Sequence, residues 1–127
     1  MMTIADEVWL VVRYKINERL RFERNLHNQN FEFYIPIIFT NIQKGINKKE
    51  EASVEVLFPG YGFVRMAQTN LHALKYTLGL RNIVRFGDQY AIATNIMIDQ
   101  LKELEVSSKI QPIVPKLLAK GNNVTVT

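Results

Sequence analysis

The residues able to do chemistry are few, and their spacing argues against most of it. His27 and His72 are the only histidines in the 127 residues. They fall on different expected helices, and neither has a carboxylate or a second histidine at ligand spacing, so surface polar roles fit them better than a metal site. Glu50 and Glu51 are adjacent, but they follow Lys48 and Lys49 in a loop. Paired carboxylates for acid–base work need a cleft, and a solvated charge cluster does not. The chain has no cysteine, which removes disulfides, thiolate nucleophiles and sulfur metal sites and suits a reducing cytoplasm. Gly60-Tyr61-Gly62 lacks the following helix start that would cradle a phosphate. Nothing in the pattern supports catalysis, a metal or a cofactor.

Residue types suited to binding are better represented. Lys15, Arg21 and Arg24 cluster with the amides of Asn25, Asn28 and Gln29 on and just before the first expected helix. That mixture can hold phosphates and read base edges, although a charged helix face is often only solvated. Arg81 and Arg85 flank the end of the second helix and the next strand, where Arg81 can extend the same patch. The densest feature is Leu57-Phe58-Pro59-Gly60-Tyr61-Gly62-Phe63-Val64-Arg65-Met66. Pro59 restricts φ, and the two glycines permit a bend or a close approach ahead of a strand over Phe63 to Met66. Three large aromatics beside two glycines either fill a core or present one of their number to a partner.

Several elements are needed to position these groups. Val8 to Tyr14 is rich in β-branched and aromatic residues and reads as a central strand buried on both faces. Asn17 is the expected N-cap of a helix from Glu18 to about Gln29, with Leu20, Phe22 and Leu26 inward. Phe31 to Thr40 reads as one strand with an edge or bulge at Pro36, and Asn41 to Ser53 as the tip of a long hairpin returning through Val54 to Leu57. Leu71, Leu74 and Leu78 define a second helix, capped by Thr69 and ended by Gly79. Ile83 to Phe86 and Tyr90 to Ala93 are strands, and Thr94 or Asn95 caps a last helix with Met97, Leu101 and Leu104 inward. Beyond Val106 the chain reads as irregular. This order argues for an α+β fold, a mostly antiparallel four-stranded sheet with helices packed on it.

Composition sets outer bounds. The length suits one domain with a core that buries about 65% of the unfolded surface. At 47% hydrophobic and 22% charged residues the balance is that of an ordinary globular protein. The longest apolar run, Tyr34 to Phe39, is interrupted by Pro36 and too short to cross a bilayer, and no membrane partner is expected. Met1 to Glu7 lacks the basic-then-apolar pattern of a secretory signal. A net charge of +4 is a mild bias toward polyanions.

Trp9 opening the first strand, Pro36, Leu57-Phe58-Pro59-Gly60-Tyr61-Gly62-Phe63-Val64, Gly79, Val84-Arg85-Phe86-Gly87, Ala91-Ile92 and the closing helix together resemble the N-terminal domain of the NusG/RfaH transcription elongation and antitermination factors. The Phe-Pro-Gly-Tyr segment is the most specific match, and the likeness covers about Val8 to Leu104. Leu-Phe-Pro-x-Tyr-x-Phe-Val and Val-Arg-Phe-Gly lean toward the specialised RfaH branch.

The resemblance implies a non-enzymatic, cytoplasmic, monomeric factor that sits on the clamp helices of the largest subunit of bacterial RNA polymerase. It would bridge the cleft toward the gate loop of the second-largest subunit and suppress pausing. The polymerase-binding face would comprise Phe58, Pro59, Tyr61 and Phe63, joined by Ile83 and Ile98. The gate-loop contact would fall at Asn70, Leu71 and His72, where this chain is shorter than the RfaH branch and lacks its His-Thr-Thr run. Non-template DNA contacts would map to Lys15, Asn25, Asn28, Gln29, Thr77 and Leu78, the last replacing an arginine; Arg21, Arg24 and Arg81 supply charge nearby. The domain is expected over residues 1–105, followed by a linker over 106–119. Lys120 to Thr127 resembles the start of a KOW-type β-barrel cut off after one strand, so recruitment of Rho or the ribosome is not expected. A free-standing nucleic-acid-binding α+β module is the alternative.

Overall fold

The computed structural model describes residues 7–44 and 49–112. They fall into two units, one of residues 7–35 and 58–98 and one of residues 36–44, 49–57 and 99–112. Of the hairpin tip expected over Asn41 to Ser53, residues 45–48 lie outside the described residues, as do the end of the expected linker and the barrel-like segment, while 41–44 and 49–53 are paired strand rather than tip.

The first unit is built on β1 (Glu7–Tyr14), β2 (Glu32–Tyr34), β5 (Tyr61–Ala67) and β6 (Leu80–Ile83), in the order β2-β5-β1-β6, with β9 (Ile92–Ala93) also pairing β1. Every pairing is antiparallel. One face packs on α1 (Arg19–Asn28) and α2 (Leu71–Lys75): Leu10, Val12, Tyr14, Phe22, Leu26, Val64, Met66, Leu74 and Ile83 form a single buried cluster. Tyr14 stacks on Phe22 with ring centroids 5.4 Å apart. The expected four-stranded antiparallel α+β sheet is therefore present, with β9 as a short addition.

Burial along β1 alternates from Leu10 onward, so one face is fully covered, whereas the other is buried at Trp9 and only partly covered beyond it. Leu10, Val12 and Tyr14 are buried, whereas Val11 and Arg13 on the other face are only half-buried. Period-two geometry separates the two sets.

The helices differ from expectation in detail. Asn17 does not cap α1, because a short 3₁₀ turn over Ile16–Glu18 precedes it and no side chain caps the start. Leu20 is 67% exposed, outside the inward stripe of Phe22 and Leu26. Likewise α2 is shorter than the leucine spacing suggested. A 3₁₀ turn over Gln68–Asn70 takes the place of a Thr69 cap, and Leu78 lies beyond the helix, exposed. The chain then turns at Gly79, whose φ of +83° suits glycine and whose Cβ position would lie 2.9 Å from Phe22 Cβ. A side chain there would separate this turn from α1. Beyond β6, β7 (Arg85–Phe86) and β8 (Gln89–Tyr90) form a small hairpin through Gly87, so the expected strand over Ile83 to Phe86 is broken at Val84.

In the second unit, β3 (Ile37–Lys44) and β4 (Lys49–Val56) form a separate antiparallel hairpin. The strand expected over Phe31 to Thr40 is thus two strands in two sheets, divided at Pro36, which cannot donate to a ladder. The last helix, α3 (Asn95–Ile110), begins in the first unit; the Thr94 hydroxyl accepts from the Met97 amide at 3.1 Å, the cap expected from sequence. It runs past Val106 into the stretch expected to be linker. Its buried positions are Ile98 and Ser108, while Met97 and Leu104, expected inward, are exposed. Ser108 accepts from the Phe39 amide at 3.0 Å, and Glu105 from the Ile37 amide at 3.3 Å. These contacts satisfy backbone donors of β3 that its hairpin partner does not use.

Candidate partner-binding face

The second face of the first unit's sheet carries the aromatic groups singled out by the sequence. Directly paired residues share a face, and the register sets Phe63 opposite Val11 and Tyr34, and Tyr61 opposite Arg13. Ahead of β5, the Tyr61 amide donates to the Phe58 carbonyl at 3.0 Å, closing a turn around Pro59 and Gly60. Gly60 adopts φ of +85°, and its carbonyl accepts from the Tyr14 amide at 2.9 Å. The turn is therefore tied to the end of β1, so Phe58 and Tyr61 leave a backbone fixed at both sides.

Phe58 and Tyr61 are each 41% exposed, and Pro59 between them is exposed. Phe63, Ile83 and Ile98 are not surface groups: they are 7%, 8% and 1% exposed. Phe63 stacks on Tyr34 at 6.5 Å, and Ile83 belongs to the core cluster. Sequence grouped these six residues as contacts. In the structure three are accessible and three are buried.

The expected DNA residues divide in the same way. Lys15, Arg21, Arg24 and Asn28 are exposed, with Lys15 3.9 Å and Arg21 3.4 Å from Glu18 carboxylate oxygens. Arg24 has no ion-pair partner among the described residues. Thr77 is buried, and its hydroxyl accepts from the Gln29 amide at 2.9 Å. Gln29 also donates to the side-chain oxygen of Asn25 at 3.3 Å, and that oxygen accepts from the Leu78 amide at 3.4 Å. Asn25, Gln29 and Thr77 thus tie α1 to the loop after α2 and leave few donors for a ligand. Arg81 is exposed on β6. Asn70 and His72 are exposed and Leu71 half-buried at the start of α2, where His72 meets Tyr76 edge-on at 5.0 Å.

Sequence reasoning passed over Arg13 and Asn82. Arg13 lies with its guanidinium 5.6 Å from the centroid of the Tyr61 ring, and Asn82 pairs with Arg13 across β1 and β6. The available signal was an arginine at the period-two position of an otherwise apolar strand. Among the described residues no group of three or more His, Asp or Glu side chains is arranged to hold a metal ion. No described helix is long and apolar enough to cross a membrane.

An antiparallel α+β domain with a braced aromatic turn on one sheet face and a basic helix on the other is a module equipped for binding. Its family is specific: a family model described as transcription termination factor nusG matches residues 7–105, and the chain belongs to the NusG family. Factors of this family are non-enzymatic transcription factors that generally bind RNA polymerase. Among solved structures, one of Thermotoga maritima NusG, titled for its domain interaction, is similar at 18% identity and a TM-score of 0.44. The match covers 72% of this chain and 52% of that one, so the chain spans about half the length of that relative. No curated protein matches the chain significantly.

Proposed function

We propose that the chain is a transcription elongation and antitermination factor of the RfaH type that docks on the clamp helices of bacterial RNA polymerase. It bridges the cleft toward the gate loop and suppresses pausing in the cytoplasm. The observation that carries this reading is the pair Phe58 and Tyr61, large aromatics held half out of the surface on a turn whose backbone is bonded on both sides. A preformed apolar protrusion suits a helical hairpin, because binding then costs little ordering and excludes water around a few anchors. In this scheme Phe58, Pro59 and Tyr61 make the contact, while Phe63, Ile83 and Ile98 support it from within. Asn70, Leu71 and His72 face the gate loop.

The exposed face of α1, with Lys15, Arg21, Arg24 and Asn28, together with Arg81, is proposed to follow the non-template DNA strand. Asn25, Gln29 and Thr77 hold that face in place. The test is pause lifetime on an assembled bacterial elongation complex. The chain is expected to shorten pauses, and Phe58→Ala with Tyr61→Ala to abolish the effect. Unchanged pausing at saturating protein would refute the proposal.

A further inference from the structure

Beside the aromatic turn is a cleft of about 500 Å³ lined by Arg13, Tyr61, Asn82, Ile83, Val84 and Arg85. Its floor follows from register. Tyr61 and Asn82 flank Arg13 on the adjacent strands β5 and β6, which puts the three in one row across one face of the sheet. Arg13 lies over Tyr61 at 5.6 Å, and Arg85 over Tyr90 at 5.2 Å. Stacking of this kind orients a guanidinium plane without consuming its N–H donors. Among the described residues no carboxylate lines the cleft and neither arginine has an acidic partner. Two arginines and an amide therefore line one cleft that supplies no anion among the described residues.

We propose that this cleft receives a carboxylate side chain of the helical partner that docks on Phe58 and Tyr61, an inference that rests on the proposed function. Tyr61 belongs both to the aromatic turn and to the cleft wall, so a helix lying on the turn reaches the cleft without leaving the surface. A planar carboxylate matches the guanidinium fork, which it can meet with two parallel hydrogen bonds. Aromatic contacts alone are weakly directional. A carboxylate seated between Arg13 and Arg85 sets the register of the helix and speeds encounter.

The test uses an isolated clamp-helix hairpin of bacterial RNA polymerase and a second version in which its surface acids are replaced by amides. Arg13→Met with Arg85→Met keeps the aliphatic stems, and thermal unfolding checks that the fold is retained. Against the native hairpin at low salt, the double variant is expected to bind about tenfold more weakly. Against the amide hairpin the same substitutions are expected to cost less than about twofold, the coupling that a direct charge pair produces. An equal loss on both hairpins, or no loss on either while Phe58→Ala abolishes binding, overturns this inference and leaves the docking proposal standing. Hairpin binding unchanged, with lost affinity for an oligo-dT strand, overturns it in favour of a phosphate site. Failure of the unsubstituted chain to bind the hairpin overturns both.

Discussion

Alanine substitutions at Phe58 and Phe63 separate the accessible contact from its buried support, although sequence placed both in one binding segment. Phe63 is 7% exposed within β5 and stacked on Tyr34. Truncating it removes a buried ring and leaves a cavity, which costs about 3–5 kcal/mol in cores. Phe58 already shows 41% of its surface to solvent. With full burial of such a side chain worth about 1.5–3 kcal/mol, Phe58→Ala is expected to cost about 1 kcal/mol. At about 3–5 °C per kcal/mol for a chain of this size, Tm falls by roughly 4 °C for Phe58→Ala and by more than about 9 °C for Phe63→Ala. Thermal and urea unfolding supply the stabilities, and hairpin binding is measured on each variant below its transition. Phe58→Ala is expected to lose more than about 1 kcal/mol of binding; Phe63→Leu, which preserves the fold better, is expected to retain most of it. The reasoning is refuted if Phe58→Ala destabilises as much as Phe63→Ala, or if Phe63→Ala costs less than about 1 kcal/mol.

Gly79→Ala combines a positive φ with a Cβ contact at 2.9 Å to Phe22, so a destabilisation of about 2–4 kcal/mol is expected in urea unfolding. A neutral result would mean that the turn moves freely away from α1. Thr77→Val removes the acceptor of the Gln29 amide and is expected to cost about 1 kcal/mol, with slower DNA association if the α1 face depends on that tie. Arg21→Gln with Arg24→Gln is expected to weaken single-stranded DNA binding across sequences. The salt slope should fall by about 1.4, from roughly 0.7 per phosphate contact. An unchanged slope would identify a merely solvated face.

Much of the fold was legible because local signals and burial agreed. Phe22 and Leu26 point inward at helical spacing, Thr94 caps α3, and β1 and β5 form the centre of the sheet. The failures have identifiable physical causes. Leu20 lies two residues from Phe22 and so on the other side of α1, Leu78 lies beyond the end of the short α2, and in α3 the buried position falls to Ile98 rather than Met97. Pro36 was read as an edge or bulge within one strand, whereas the missing donor divides two sheets. At the binding face, the aromatic segment and the basic helix were visible as residue types. Which aromatics are exposed depends on strand pairing, and so does the placement of Arg13 beside Tyr61 and Asn82. Thr77 was grouped with DNA contacts by position, but its hydroxyl is used by Gln29.

The central claim is that a braced aromatic turn docks this domain on polymerase. Its most direct test is titration of the chain with the isolated clamp-helix hairpin at low and moderately high salt, alongside Phe58→Ala with Tyr61→Ala. Saturable binding is expected that persists at the higher salt, because apolar burial is screened little, and that disappears in the double variant. Absence of hairpin binding, with salt-sensitive binding to single-stranded DNA in its place, would contradict it and leave a nucleic-acid module.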